Sequence, residues 1–163
     1  MALWDLLGQY TGQPIYNLLG GRCRDSIWIY NTCVGHGKHQ DYQRWASGRT
    51  GELAAELLAQ GIKAMKIWPF DQFGVSLGGP VGSRAGAGAV GPVGYHLKHD
   101  DLKKGVSYVE DIRNAVGDAM EICIEGHARW SLTDAVKIAR ALEPFDIMWL
   151  EEIIPPDNVD SYA

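Results

Sequence analysis

The stretches EICIEGHARW at residues 121–130 and FDIMWLEE at residues 145–152 decide how this chain folds. Each is a short, β-rich apolar run that stops at a carboxylate: Glu125, with His127 two residues on, and Glu151, followed by Glu152. Residues 131–142 between them have the spacing of one helix. The unit is therefore strand, crossover helix, strand, and both carboxylates should emerge at one C-terminal edge of a parallel sheet. Barrels and open α/β sheets place their chemistry at that edge. Carboxylates brought together there repel one another unless a hard cation lies between them, and oxygen ligands suit Mg2+. Taken singly, either Glu reads as a solvated loop acid. As a pair at equivalent strand ends with His127 beside them, they form a candidate metal and acid–base site.

Upstream, IKAMKIW at residues 62–68 is a third strand, ended by Pro69. Lys66 near its end is either solvent-facing or on the same edge as Glu125 and Glu151, because burying a lysine unpaired is costly. Residues 26–32, SIWIYNT, read as a further strand. The polar segment after it carries His36 and His39. That HxxH spacing lies among glycines without a rigid scaffold, so His36 is read as a substrate-facing loop residue. Helices are expected over residues 1–10, over 50–60 with Thr50 as N-cap and Gly61 as stop, and over 99–116 with Gly117 closing it. A last helix runs from Ser131, with Val136, Ile138, Ala139 and Leu142 as its packed side and Pro144 ending it. Residues 74–97 are rich in Gly, Ala, Val and Pro without helical or strand period. They read as a disordered insert of no catalytic consequence or, less simply, as a flexible lid. Four strands alternating with helices indicate an α/β fold on a parallel sheet. Pattern alone leaves open a doubly wound four-strand sheet and the first half of a closed barrel.

With 163 residues, the chain can bury a real core. A net charge of −5 offers no basic surface for nucleic acid. No apolar run approaches the roughly 18 residues of a membrane span, and no signal-peptide pattern opens the chain, so the default expectation is a soluble, cytoplasmic protein. Cys23, Cys33 and Cys123 form no CxxC pair, which argues against a disulfide framework or a zinc site.

Several stretches together resemble the mandelate racemase and muconate lactonizing branch of the enolase superfamily. They are ALWDLLGQYTGQPIYNLLGG (2–21), KAMKIWPFD (63–71), IRNAVGD (112–118), EGHARW (125–130), ALEPFDIMWLEE (141–152) and PPDN (155–158). The resemblance implies a Mg2+-dependent enzyme with an α+β capping domain and a modified TIM barrel. Residues 1–21 would be the end of the capping domain, and residues 22–163 about the first four β/α units of the barrel, with the Gly-rich insert at about 74–97. It makes Glu125 and Glu151 the first two metal ligands and puts the third ligand and the usual catalytic base in later strands, so the chain is expected to be an internal piece of a longer enzyme. Where many members have Lys-x-Lys, this chain reads Lys66-Ile67-Trp68, a departure that removes one lysine base and weakens a racemase reading. What remains is similar to the acid-sugar dehydratases, in which a His two residues after the first ligand is the general acid. His127 holds that place. The implied reaction is dehydration of a sugar acid to a 2-keto-3-deoxy acid through an enediolate. Lys66 would steady the carboxylate, and Trp68, Arg129, Trp130 and His36 would line the substrate site. Full-length relatives are expected to be homo-oligomers. The alternatives are a racemase or epimerase of the same superfamily and a non-catalytic barrel fragment, the expected state of this chain in isolation.

Overall fold

The computed structural model describes residues 1–35, 40–73, 75–76, 79–80, 97–156 and 159–162. Two short helices, α1 (Ala2–Thr11) and α2 (Ile15–Leu18), open the chain. Then come α3 (Asp41–Ala46), α4 (Thr50–Ala59) and β1 (Ala64–Ile67). Two-residue strands β2 (Val75–Ser76) and β3 (Gly79–Pro80) pair antiparallel. After them lie α5 (His99–Val116), β4 (Glu121–Glu125), α6 (Leu132–Leu142) and β5 (Trp149–Glu151). Strands β1, β4 and β5 form one parallel sheet in that order. Each new strand is added on the same side, without the order reversal of a doubly wound sheet, as in the wall of a barrel.

The two faces of this sheet differ in chemistry because successive strand side chains alternate. Met65, Ile67, Ile122 and Ile124 share one face and are wholly buried against Leu53 and Leu57 of α4, Tyr108, Val109 and Ile112 of α5, and Ile138 and Leu142 of α6. Each such side chain contributes about 1.5–3 kcal/mol by leaving water, so this face supplies most of the sheet's hold on its helices. Ala64, Lys66, Cys123, Glu125, Trp149 and Glu151 occupy the alternate positions, with Lys66 opposite Cys123 and Glu125 opposite Glu151 in register.

Glycines let the helices approach. A Cβ on Gly51 would stand 2.7 Å from both the Ala115 side chain and the Asp111 carbonyl. Asp111 uses that closeness to accept the Gly51 N–H at 2.6 Å, capping α4 from α5. The expectation for Thr50 is corrected accordingly: Arg49 is the N-cap residue, no side-chain cap bond forms there, and Thr50 is buried within the first turn. Gly105 likewise receives the Phe70 ring, where a Cβ would lie 2.2 Å from Cε1. The loop leaving β1 is thereby pinned to α5.

Three further expectations change. The strand at 26–32 is reduced to one parallel bridge, in which the Asn31 N–H bonds Ala64 O at 3.0 Å and the Lys66 N–H bonds Asn31 O at 2.8 Å. The Asn31 side chain takes the Cys33 N–H at 2.7 Å and turns the chain off the sheet, with Cys33 at a φ of +52°. The polar segment after Asn31 contains α3, anchored by buried Trp45, whose Nε1–H bonds the Cys33 carbonyl. Val136 is exposed, and α6 instead buries Asp134, Ala135, Ile138 and Leu142. Most of the Gly-rich segment, and with it the choice between disorder and lid, lies outside the described residues.

Asp134 shows why α6 is turned this way. Its carboxylate accepts the Leu97 N–H at 3.2 Å and Lys137 Nζ at 2.8 Å, and Ser131 Oγ, the cap of α6, lies at 3.2 Å. Burial alone would raise this carboxyl, but the bonds from Lys137, Leu97 and Ser131 outweigh it and hold it below its ordinary value of 3.8. The depressed folded-state value means that the associated stability is present above pH 3.8 and is lost as pH falls through the lower, folded one. Asp134→Asn is expected to lose about 1–3 kcal/mol at pH 7 and to differ less from the parent at pH 3, read from urea midpoints at both pH values. Equal midpoints at pH 7 would overturn this.

Candidate active site

Three strand ends meet at one ammonium group. Lys66 Nζ lies 2.8 Å from Glu125 Oε2 and 2.8 Å from Glu151 Oε2. The polar face of the sheet dictates this meeting, since Glu125 and Glu151 are register partners and Lys66 points from the adjacent strand to the same side. Burial works against the charged form of Lys66, but the hydrogen bonds and charges of Glu125 and Glu151 outweigh it, and the ammonium is held well above the ordinary lysine value. Burial also pushes the Glu151 carboxyl upward, yet the bonds from Lys66 and from Trp149 Nε1, at 3.1 Å, leave it lowered. Tyr30 lies beneath, its ring centroid 5.7 Å from Lys66 Nζ and 5.4 Å from the Trp149 ring. The solvent-facing alternative for Lys66 is thereby set aside.

The turn after β4 is stitched to the end of β5 by its backbone. The N–H groups of Gly126, Ala128 and Trp130 bond the carbonyls of Glu151, Glu152 and Ile153 at 2.9, 2.6 and 3.3 Å. A Cβ on Gly126 would lie 2.8 Å from the Ile153 backbone, so only glycine allows the approach. His127 and Ala128 take left-handed conformations, with φ of +47° and +55°, and Glu152 does the same at +43°. Non-glycine residues persist there only where the surroundings over-determine them, a condition frequent at functional sites. Here the His127 N–H donates to Glu125 Oε1 at 3.2 Å, which aims the imidazole back across the strand ends.

His127 Nδ1 lies 2.5 Å from Asp71 Oδ2. That hydrogen bond is the largest influence on the imidazole, and it raises the pKa above the ordinary value despite burial, with the charges of Asp71 and Glu125 adding to it. Arg129 Nε is 3.7 Å from the same Asp71 oxygen. Trp68 stands edge-on to His127 at 5.7 Å and stacks on Tyr42. Trp130, expected to line the site, is wholly buried in the hydrophobic core, so it shapes the site by packing and has no face open to a ligand. His36 lies outside the described residues. Thiol chemistry finds no support in the two buried cysteines, since burial pushes Cys33 far up and Cys123 to about 12.

The structure thus brings together Lys66, Glu125, Glu151, His127, Trp68 and Arg129 from separate segments of the chain, with Lys66 and Glu125 lying 59 residues apart in sequence. Asp71 escaped the sequence reading, although it closes the stretch KIWPFD just past β1. Among the described residues no three His, Cys, Asp or Glu side chains converge as a complete metal site. Glu125 and Glu151 nonetheless already share one cation between hard oxygen donors, which fits part of the ligand set of a divalent ion such as Mg2+. No helix among the described residues is long and apolar enough to cross a membrane.

Residues 49–163 match the family described as enolase C-terminal domain-like. The chain is 33% identical over 162 residues to a D-gluconate dehydratase of Thermoproteus tenax, covering 99% of this chain and 27% of that protein. A D-mannonate dehydratase of Novosphingobium aromaticivorans is 30% identical, with 99% of this chain and 39% of that protein covered. Among solved structures, an enolase of the mandelate racemase subgroup from Agrobacterium tumefaciens superposes with a TM-score of 0.72 at 39% identity, over 98% of this chain and 35% of the other. The chain therefore spans between about a quarter and two-fifths of the length of these relatives.

Proposed function

Since the chain belongs to the enolase C-terminal domain-like family, we propose that it supplies part of the active site of a sugar-acid dehydratase, a Mg2+-dependent hydro-lyase. One observation carries this reading: the ends of three adjacent parallel strands place Lys66, Glu125 and Glu151 in contact, with His127 on the turn beside them. Relatives named as gluconate and mannonate dehydratases support the choice of substrate class.

In this proposal Glu125 and Glu151 hold the metal. Bound Mg2+ would supply positive charge that makes a proton α to a carboxylate easier to remove by the base that the resemblance puts in later strands. Lys66 steadies the substrate carboxylate. His127 gives its proton to the β-hydroxyl, which leaves as water, and the enol left behind ketonises to a 2-keto-3-deoxy acid. Trp68 and Arg129 border the imidazole and shape the substrate side. Residues 1–21 take the role of the end of a capping domain and residues 22–163 that of the first barrel half, within a protein that assembles as a homo-oligomer.

The test is to supply D-gluconate, D-mannonate and further sugar acids, with Mg2+, to a full-length protein carrying this sequence and to measure 2-keto-3-deoxy acid. Formation of that acid is the expected result. A product that only inverts a centre would replace the dehydratase by an epimerase, and no conversion of any sugar acid would overturn the reading.

A further inference from the structure

We propose that Asp71 is the positioning residue for His127: its carboxylate accepts a hydrogen bond from Nδ1–H and so commits Nε2 as the nitrogen presented to substrate. This rests on the reading of His127 as the general acid. A ring free to flip could offer either nitrogen, and an acid that must reach one departing oxygen cannot work equally well from both. Asp71 removes that freedom, because an ionised carboxylate only accepts hydrogen bonds and Nδ1 must carry the proton to satisfy it. The 2.5 Å separation between Nδ1 and Oδ2 places the two in direct contact.

The placement is built from several sides. Asp71 is 5% exposed, and its Oδ2 makes the bond to the imidazole while Oδ1 is buried with no hydrogen-bond partner among the described residues. Phe70, seated on Gly105 of α5, fixes the backbone one residue earlier. Arg129 sets a second cation 3.7 Å from Oδ2. On the other side, the His127 backbone is held in its left-handed conformation by the bond to Glu125 and by the Ala128 bond to Glu152. The Trp68 edge bounds the ring. Backbone and imidazole are thus fixed independently. In the proton transfer the Nε2–H bond breaks, an O–H bond forms on the departing hydroxyl, and that oxygen leaves as water with the C–O electron pair. The imidazole is left as the neutral Nδ1–H tautomer, still bonded to Asp71.

The 163-residue chain, labelled with 15N, tests this by long-range proton–nitrogen correlation of its imidazoles above the midpoint of the His127 titration, with His127→Asn identifying the signal. The expected result is a single Nδ1–H tautomer for His127 that gives way to tautomer exchange in Asp71→Ala. An Nε2–H tautomer in the unaltered chain would overturn the proposal without any variant having to fold, and so would an unchanged tautomer in a folded Asp71→Ala chain. In a full-length protein carrying this sequence, Asp71→Ala should lower kcat by about 10- to 100-fold with KM changed little, as for loss of a residue that orients a reacting one. A pinned tautomer in a protein whose dehydration survives His127→Asn would leave Asp71 as the positioning residue and remove the acid role from His127.

Discussion

His127→Asn in a full-length protein carrying this sequence is expected to lower sugar-acid dehydration by about 100- to 10,000-fold, the usual contribution of a positioned general acid. Asparagine keeps a short polar side chain and tolerates the left-handed backbone at a φ of +47°, so the turn should survive. Its main-chain N–H to Glu125 is also retained. Mg2+ affinity measured by calorimetry should therefore stay close to that of the unaltered protein while 2-keto-3-deoxy acid formation collapses. Undiminished dehydration would exclude His127 as the acid. A parallel loss of Mg2+ binding would instead identify it as a structural support for Glu125.

Lys66→Met should have the second large effect, and it is read in stability. Methionine fills nearly the same volume but leaves Glu125 and Glu151 facing each other without the ammonium that lies 2.8 Å from each. Breaking a buried pair by removing one partner costs about 3–5 kcal/mol. The Glu151 side chain is 35% exposed, so solvent relieves part of that and the lower end of the range is expected. The loss is read from urea unfolding of the chain. Added Mg2+ should then stabilise the variant more than the parent, since the cation no longer competes with Lys66 for the same oxygens. Equal stability of the two chains, or an equal response to Mg2+, would show that the carboxylates do not depend on Lys66.

The parts of the fold legible in the sequence are those whose burial follows period and punctuation. Strand β4, helix α5 between Lys98 and Gly117, and helix α6 starting at Ser131 or one residue after it all lie where the pattern puts them. So does the pairing of Glu125 with Glu151, because two short strands joined by one helix leave little choice of register. Residues 26–32 failed for a physical reason. Ile27, Trp28 and Ile29 have strong β propensity but are exposed, and propensity reports a fit to a pleated surface without saying whether a partner strand is there. Helix α3 was hidden by its polar composition, with only Asp41 and Trp45 buried. Asp71 and His127 are 56 residues apart, and nothing in either stretch announces the other. The only hint was that Asp71 follows β1 on the same edge as Lys66.

The alternation of the sheet has a consequence for how such a chain can change over time. Isoleucines and methionine that hold the helices and the lysine and glutamates that meet at the strand ends belong to the same three strands but face opposite ways. A substitution at Lys66, Glu125 or Glu151 changes the charges that meet at the strand ends without opening a void among the helices, even where it costs stability. Equally, Ile122 or Ile124 can drift in size without moving a charge. The charged positions and the packed positions are therefore inherited on separate surfaces of one short sheet, and a lineage can vary the residues of one without redrawing the other.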